Sequence, residues 1–120
     1  MKKVLVVDDA AFMRLTIRIL LEKIEDMECY EASNGVEAFT KYKEIKPDLV
    51  TMDITMTDMT GIEALKLIKQ HDPKAKVVMV SALGDEAMVK ESIICGATSF
   101  IVKPFKDEDV IAKIKKILKL

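Results

Sequence analysis

Val4-Leu5-Val6-Val7-Asp8-Asp9-Ala10-Ala11-Phe12-Met13-Arg14-Leu15 opens with four consecutive apolar residues and then changes period. A short unbroken apolar run suits a strand buried on both faces of a parallel sheet. From Ala11 to Ile24 the apolar residues recur at helical spacing, with Met13, Ile17, Leu20, Leu21 and Ile24 on one face. The same alternation continues outward from this stretch. Strands are predicted at Val4–Val7, Cys29–Ala32, Leu49–Met52, Val77–Val80 and Phe100–Val102, and helices at Ala11–Ile24, Val36–Ile45, Ile62–Gln70, Glu86–Cys95 and Asp107–Leu118. Strands alternating with helices imply βαβ units, so the expected class is α/β, a doubly wound parallel sheet with helices on both faces. Cys29-Tyr30-Glu31-Ala32 is half polar and suits an edge of that sheet.

The punctuation agrees. Asn34-Gly35 reads as a turn before the second helix, and Pro47 stops that helix. Gly96 stands where a left-handed cap would close the fourth. The last helix begins Asp107-Glu108-Asp109 and ends among Lys113, Lys115, Lys116 and Lys119, which matches both poles of its dipole. A chain of 120 residues, 50% apolar, suits one core. No linker or repeat divides it, so residues 1–120 are expected to form a single domain with no output or DNA-binding domain.

Nineteen Lys and Arg face twenty Asp and Glu, a net charge of −1. That balance argues against nucleic acid as a partner, since such modules concentrate a basic excess. The apolar runs are too short to span a bilayer, and the N-terminus lacks the long apolar core and cleavage site of a signal peptide. A cytoplasmic, monomeric protein without a membrane partner is the expectation. Cys29 and Cys95 lack redox or zinc spacing and read as buried reduced thiols. His71, in Gln70-His71-Asp72-Pro73, reads as a solvated turn residue.

Polar groups collect where the strands end. Asp8-Asp9 follows the first, Asp53 the third, Ser81 the fourth and Lys103 the fifth. In an open parallel sheet these ends point the same way and border a ligand crevice. Three clustered carboxylates repel unless a cation sits among them. One magnesium ion suits the site, because it takes oxygen ligands, keeps waters and leaves room for a phosphoryl oxygen. Asp9 is expected to ligate directly and Asp8 through water, with Asp53 and the backbone carbonyl of Thr55 supplying further oxygens. Singly, each acid suits a cap or a loop start just as well; their joint placement is what points to a site.

Val6-Val7-Asp8-Asp9, Met52-Asp53-Ile54-Thr55-Met56, Ser81-Ala82 and Lys103-Pro104-Phe105 together resemble the motifs of response-regulator receiver domains. The likeness covers the whole chain and is nearest to the single-domain chemotaxis regulators. It implies the flavodoxin-like (βα)5 fold with strand order 2-1-3-4-5, an order taken from the resemblance and not from the residues. It also implies a phosphoacceptor at Asp53, fed by a histidine kinase of the CheA type. Ser81 and Lys103 would bind the phosphoryl group, Phe100 would be the aromatic switch, and Pro104 would follow a cis peptide. The implied protein is a signalling switch and not an enzyme in the ordinary sense, although it would gain and lose its phosphoryl group at Asp53. Its output would reach a flagellar or archaellar motor switch or another target protein. A phosphorelay intermediate and a receiver from a longer regulator are the alternatives.

Thr57 and Thr60 depart from the family, where proline and an acid or amide are common, and the missing proline predicts a looser loop after Asp53. Thr55 and Leu83, two residues past Asp53 and Ser81, are the positions expected to tune phosphoryl lifetime. Neither can orient an attacking water well, so a separate phosphatase is expected. Phe12, Leu15 and Ile19 form a second apolar stripe on the first helix, away from its core face, and are a candidate partner face. A haloacid-dehalogenase-type phosphatase also forms an aspartyl phosphate, but needs a second acid where Thr55 stands. A flavin-binding flavodoxin needs hydroxyls and glycine where Asp8-Asp9 stands.

Overall fold

A computed structural model describes residues 1–120. The chain alternates β1 (Lys2–Val7), α1 (Ala11–Leu21), β2 (Met27–Ala32), α2 (Gly35–Ile45), β3 (Leu49–Asp53), α3 (Gly61–His71), β4 (Val77–Ser81), α4 (Glu86–Ile94), β5 (Ser99–Val102) and α5 (Asp107–Leu118). All strand pairs are parallel, in the order β2-β1-β3-β4-β5. The half-polar second strand lies at an edge, where only one flank must pair. The apolar runs of β1, β3 and β4 lie inside and are buried on both faces.

Alternation along the strands splits the core into two layers. Leu5, Val7, Val50, Met52, Val77 and Met79 face α2, α3 and α4. Val4, Val6, Leu49, Val78 and Val80 face α1 and α5, meeting Ile17, Leu20, Leu21 and Ile114. Each fully buried Leu or Ile contributes about 1.5–3 kcal/mol of transfer free energy.

Several boundaries moved for physical reasons. α1 stops at Leu21, because Lys23 and Ile24 donate to the carbonyls of Leu20 and Leu21 and tighten the chain into a turn. Ile24 stays in the core from that turn. Asn34 is a helix cap and not a separate turn: its Oδ1 accepts from the Glu37 amide at 2.8 Å. Gly96 takes φ +102° after Cys95, as a left-handed cap requires. Cys29 and Cys95 are half-buried and not fully buried, and pack against opposite faces of the sheet. His71 is the exposed last residue of α3, edge-on to the rings of Phe39 and Tyr42. No helix is long and apolar enough to cross a membrane.

Candidate functional site

The parallel arrangement carries Asp8, Asp53 and Lys103 to one end of the sheet, just after β1, at the last residue of the adjacent β3, and just after β5. Carboxylate oxygens of Asp8, Asp9 and Asp53 all lie within 4.8 Å of one another. Asp8 and Asp53 are 1% and 6% exposed, whereas Asp9 faces solvent. The Lys103 ammonium stands 4.0 Å from Asp8 Oδ2 and 3.9 Å from Asp53 Oδ1. One cation therefore serves two buried anions, with a third anion alongside.

Electrostatics follow from that count. Burial pushes the Asp53 carboxyl up to about 6, and the neighbouring Asp8 and Asp9 charges add to the rise. Lys103 and the backbone amide of Thr55 oppose it. Asp8 is raised too, chiefly by burial, against a hydrogen bond from the Ala10 amide at 2.9 Å and the Lys103 charge. Asp8 Oδ2 is buried and has no hydrogen-bond partner. A hard divalent ion matches this deficit, since the donors are all oxygens and a single ammonium faces three carboxylates. Magnesium fits the residues present.

Ser81 is buried at the end of β4, its hydroxyl donating to the Ile101 carbonyl at 3.3 Å and not to any carboxylate. Ser81 and Phe100 line the same groove, about 270 Å³, along with Ala82, Val89 and Ile93. Phe100 is half-buried, with the Lys113 ammonium 5.3 Å from its ring centroid. The Lys103–Pro104 peptide is cis. Thr55 and Leu83 are exposed, Leu83 by 77%. Phe12, Leu15 and Ile19 are 77%, 54% and 52% exposed, so that stripe lies open.

The loop after Asp53 is anchored despite its missing proline. Ile54 and Met56 are buried, and the Gly61 amide donates to the Ile54 carbonyl at 2.8 Å. Thr60 and Glu63 cap α3 reciprocally, each side chain bonded to the other's backbone. The local signal for this box, missed above, is Thr60-Gly61-Ile62-Glu63. Gly61 is needed for close approach: a Cβ there would stand 2.1 Å from the Asp53 carbonyl oxygen. A further contact had no local signal. Arg14 donates to the Asp8 carbonyl at 2.7 Å and to Glu31, seventeen positions away, at 2.8 Å.

Known proteins align with this geometry. The profile of the response regulator receiver domain matches residues 4–115. The chemotaxis protein CheY of Thermotoga maritima is 52% identical over 118 residues, spanning 98% of both chains. CheY of Bacillus subtilis is 53% identical over 116 residues and 97% of both. A solved CheX–CheY–BeF3–magnesium complex from Borrelia burgdorferi superposes with a TM-score of 0.90 at 39% identity, covering 97% of this chain and 88% of that one.

Proposed function

The chain belongs to the response-regulator receiver family, and from that premise we propose a phosphorylation-switched regulator of the chemotaxis type. Its phosphoacceptor is Asp53. The observation that carries this is the clustering of Asp8, Asp9 and Asp53 within 4.8 Å, with Lys103 within 4.0 Å of two of them.

An Asp53 oxygen attacks phosphorus as the bond to the donor breaks, the donor being a phosphohistidine of a kinase or a small acyl phosphate. Phosphoryl transfer requires in-line positioning and charge neutralisation more than covalent help from the protein. With its carboxyl at about 6, Asp53 is mostly ionised at neutral pH and therefore nucleophilic. Asp8, Asp9, Asp53 and the Thr55 carbonyl are the groups to hold magnesium, which when bound neutralises charge on the carboxylates and the phosphoryl oxygens. Lys103 would pair with one phosphoryl oxygen, and Ser81 would turn its hydroxyl from Ile101 toward another. Phe100 lines the same groove as Ser81 and, having no hydroxyl, reports the change by packing alone. The output is a protein contact, with a motor switch or another target, and a separate phosphatase ends the signal.

The relatives named CheY and the magnesium- and BeF3-bearing complex support this reading. The test is intact mass spectrometry with magnesium and acetyl phosphate. Wild type should gain one phosphoryl group and Asp53→Asn none; equal labelling of the two would remove Asp53 from its role.

A further inference from the structure

α1 begins without the usual cap. Ala10 has no side chain to accept from the first turn, and no acidic residue lies in that turn. The Asp8-Asp9-Ala10 segment, which carries two of the three carboxylates, is held instead from both sides. The Asp8 amide donates to the Ala32 carbonyl at 3.2 Å. The Asp8 carbonyl accepts from Arg14 Nη1 at 2.7 Å. That carbonyl belongs to the peptide unit joining Asp8 to Asp9. Because the unit is planar, holding its oxygen restrains the plane and with it the point from which the Asp9 side chain departs.

Arg14 is itself held. Its Nε donates to Glu31 Oε1 at 2.8 Å, and its side chain is only 17% exposed. The second Glu31 oxygen takes Arg18 Nη1 at 2.5 Å, and the Glu31 carbonyl accepts from Lys41 at 2.5 Å. Glu31 thus stands on the edge strand with both carboxylate oxygens engaged by guanidinium groups. Arg18 first, then Arg14, hold its carboxyl below the usual range, so it remains an anion under ordinary conditions. A guanidinium has donors in fixed directions and reaches both the Asp8 carbonyl and Glu31; a lysine ammonium in its place has no such fork.

We infer that Arg14 is a positioning residue for a divalent cation at Asp8, Asp9 and Asp53, acting through the Asp8–Asp9 peptide plane, and that Glu31 orients Arg14. The inference rests on the proposed function, in that it takes those carboxylates to bind magnesium. Arg14 touches no carboxylate of the cluster, so its influence is on geometry. Partners in the shell behind metal ligands commonly govern affinity by about 10–100-fold.

Magnesium chloride alone is the probe, followed through the Asp9 and Asp53 amides in proton–nitrogen correlation spectra. Wild type, Arg14→Gln, Arg14→Lys, Glu31→Gln and the Arg14→Gln/Glu31→Gln pair are titrated, and each metal-free form is unfolded in urea. Arg14→Gln should weaken magnesium about tenfold. Arg14→Lys should recover only part of that loss, and Glu31→Gln should lose less than Arg14→Gln. The double variant should bind no more weakly than Arg14→Gln alone, since Glu31 acts through Arg14. Variants that lose stability but keep the wild-type Kd would show Arg14 to be a staple between α1 and β2, which overturns the inference. Losses that simply add would overturn the orienting role of Glu31. Should Arg14→Gln not fold, Glu31→Gln decides alone, a weakened Kd supporting the inference and an unchanged one ending it. Wild type without saturable shifts at Asp9 and Asp53 would instead sink the magnesium reading, and the inference with it.

Discussion

Replacing Asp53 by asparagine should make the folded protein more stable at neutral pH, although it removes the proposed phosphoacceptor. The wild-type carboxylate is 6% exposed, shares its surroundings with Asp8 and Asp9, and shares Lys103 with Asp8. Its carboxyl is pushed from 3.8 to about 6, so the folded protein holds this proton more tightly than the unfolded chain. The corresponding stability is complete below about pH 3.8, declines as pH rises, and is gone above about pH 6. At 1.36 kcal/mol per unit, a difference of roughly two units sets a ceiling of about 3 kcal/mol. Asparagine is neutral at every pH. It gives up the Lys103 attraction but relieves both the burial of a charge and the repulsion from Asp8. The expected gain is therefore about 1–3 kcal/mol near pH 7.5, shrinking toward zero near pH 4. Urea unfolding followed by circular dichroism, in EDTA and at several pH values between these limits, measures it. Magnesium should narrow the gap by stabilising wild type more than the variant, which has lost one carboxylate ligand. An Asn variant less stable than wild type near pH 7.5, or a gap constant across the range, would refute the charge-crowding argument.

Other expectations concern single features. Thr51 is buried in β3 with a hydroxyl that has no partner, so Thr51→Val should stabilise the protein by about 1 kcal/mol in the same unfolding assay. Gly61→Ala forces a methyl against the Asp53 carbonyl; a loss of about 1–3 kcal/mol is expected, and an unchanged urea midpoint would show that the loop yields freely. Asp9→Ala should weaken magnesium more than Asp8→Ala if Asp9 ligates directly, and equal losses by NMR titration would end that ranking. Leu83 and Thr55 are both exposed, which leaves room for groups that orient water. Leu83→Glu or Thr55→Asn should shorten the phosphoryl lifetime at least severalfold, below the ceiling of about 10⁴-fold that positioned acid–base groups reach in favourable cases; timed phosphate release no faster in either variant would place that control elsewhere.

Strand and helix order could be read from the chain because the relevant forces are local and periodic. Val4–Val7 is too apolar to face water on either side, and the run after Ala11 changes to a helical repeat. The half-polar β2 was legible as an edge for the same reason, and the grouping of Asp8, Asp9, Asp53 and Lys103 followed from parallel strands ending together. Strand order itself came from family likeness, since crossover rules alone leave several arrangements. What the residues could not disclose were contacts made across the sheet or between distant segments. Thr60 and Gly61 illustrate the division: the cap lies within one turn and is written as Thr-x-x-Glu, whereas the need for glycine arises only when α3 is laid against the Asp53 carbonyl. Ser81 was placed in the site by its position, but its present bond to the Ile101 carbonyl depends on β4 lying beside β5. Arg14 is the furthest case. Nothing near it in the chain marks it out, because its partners are a main-chain carbonyl and a side chain on a neighbouring strand, and packing alone brings the three together.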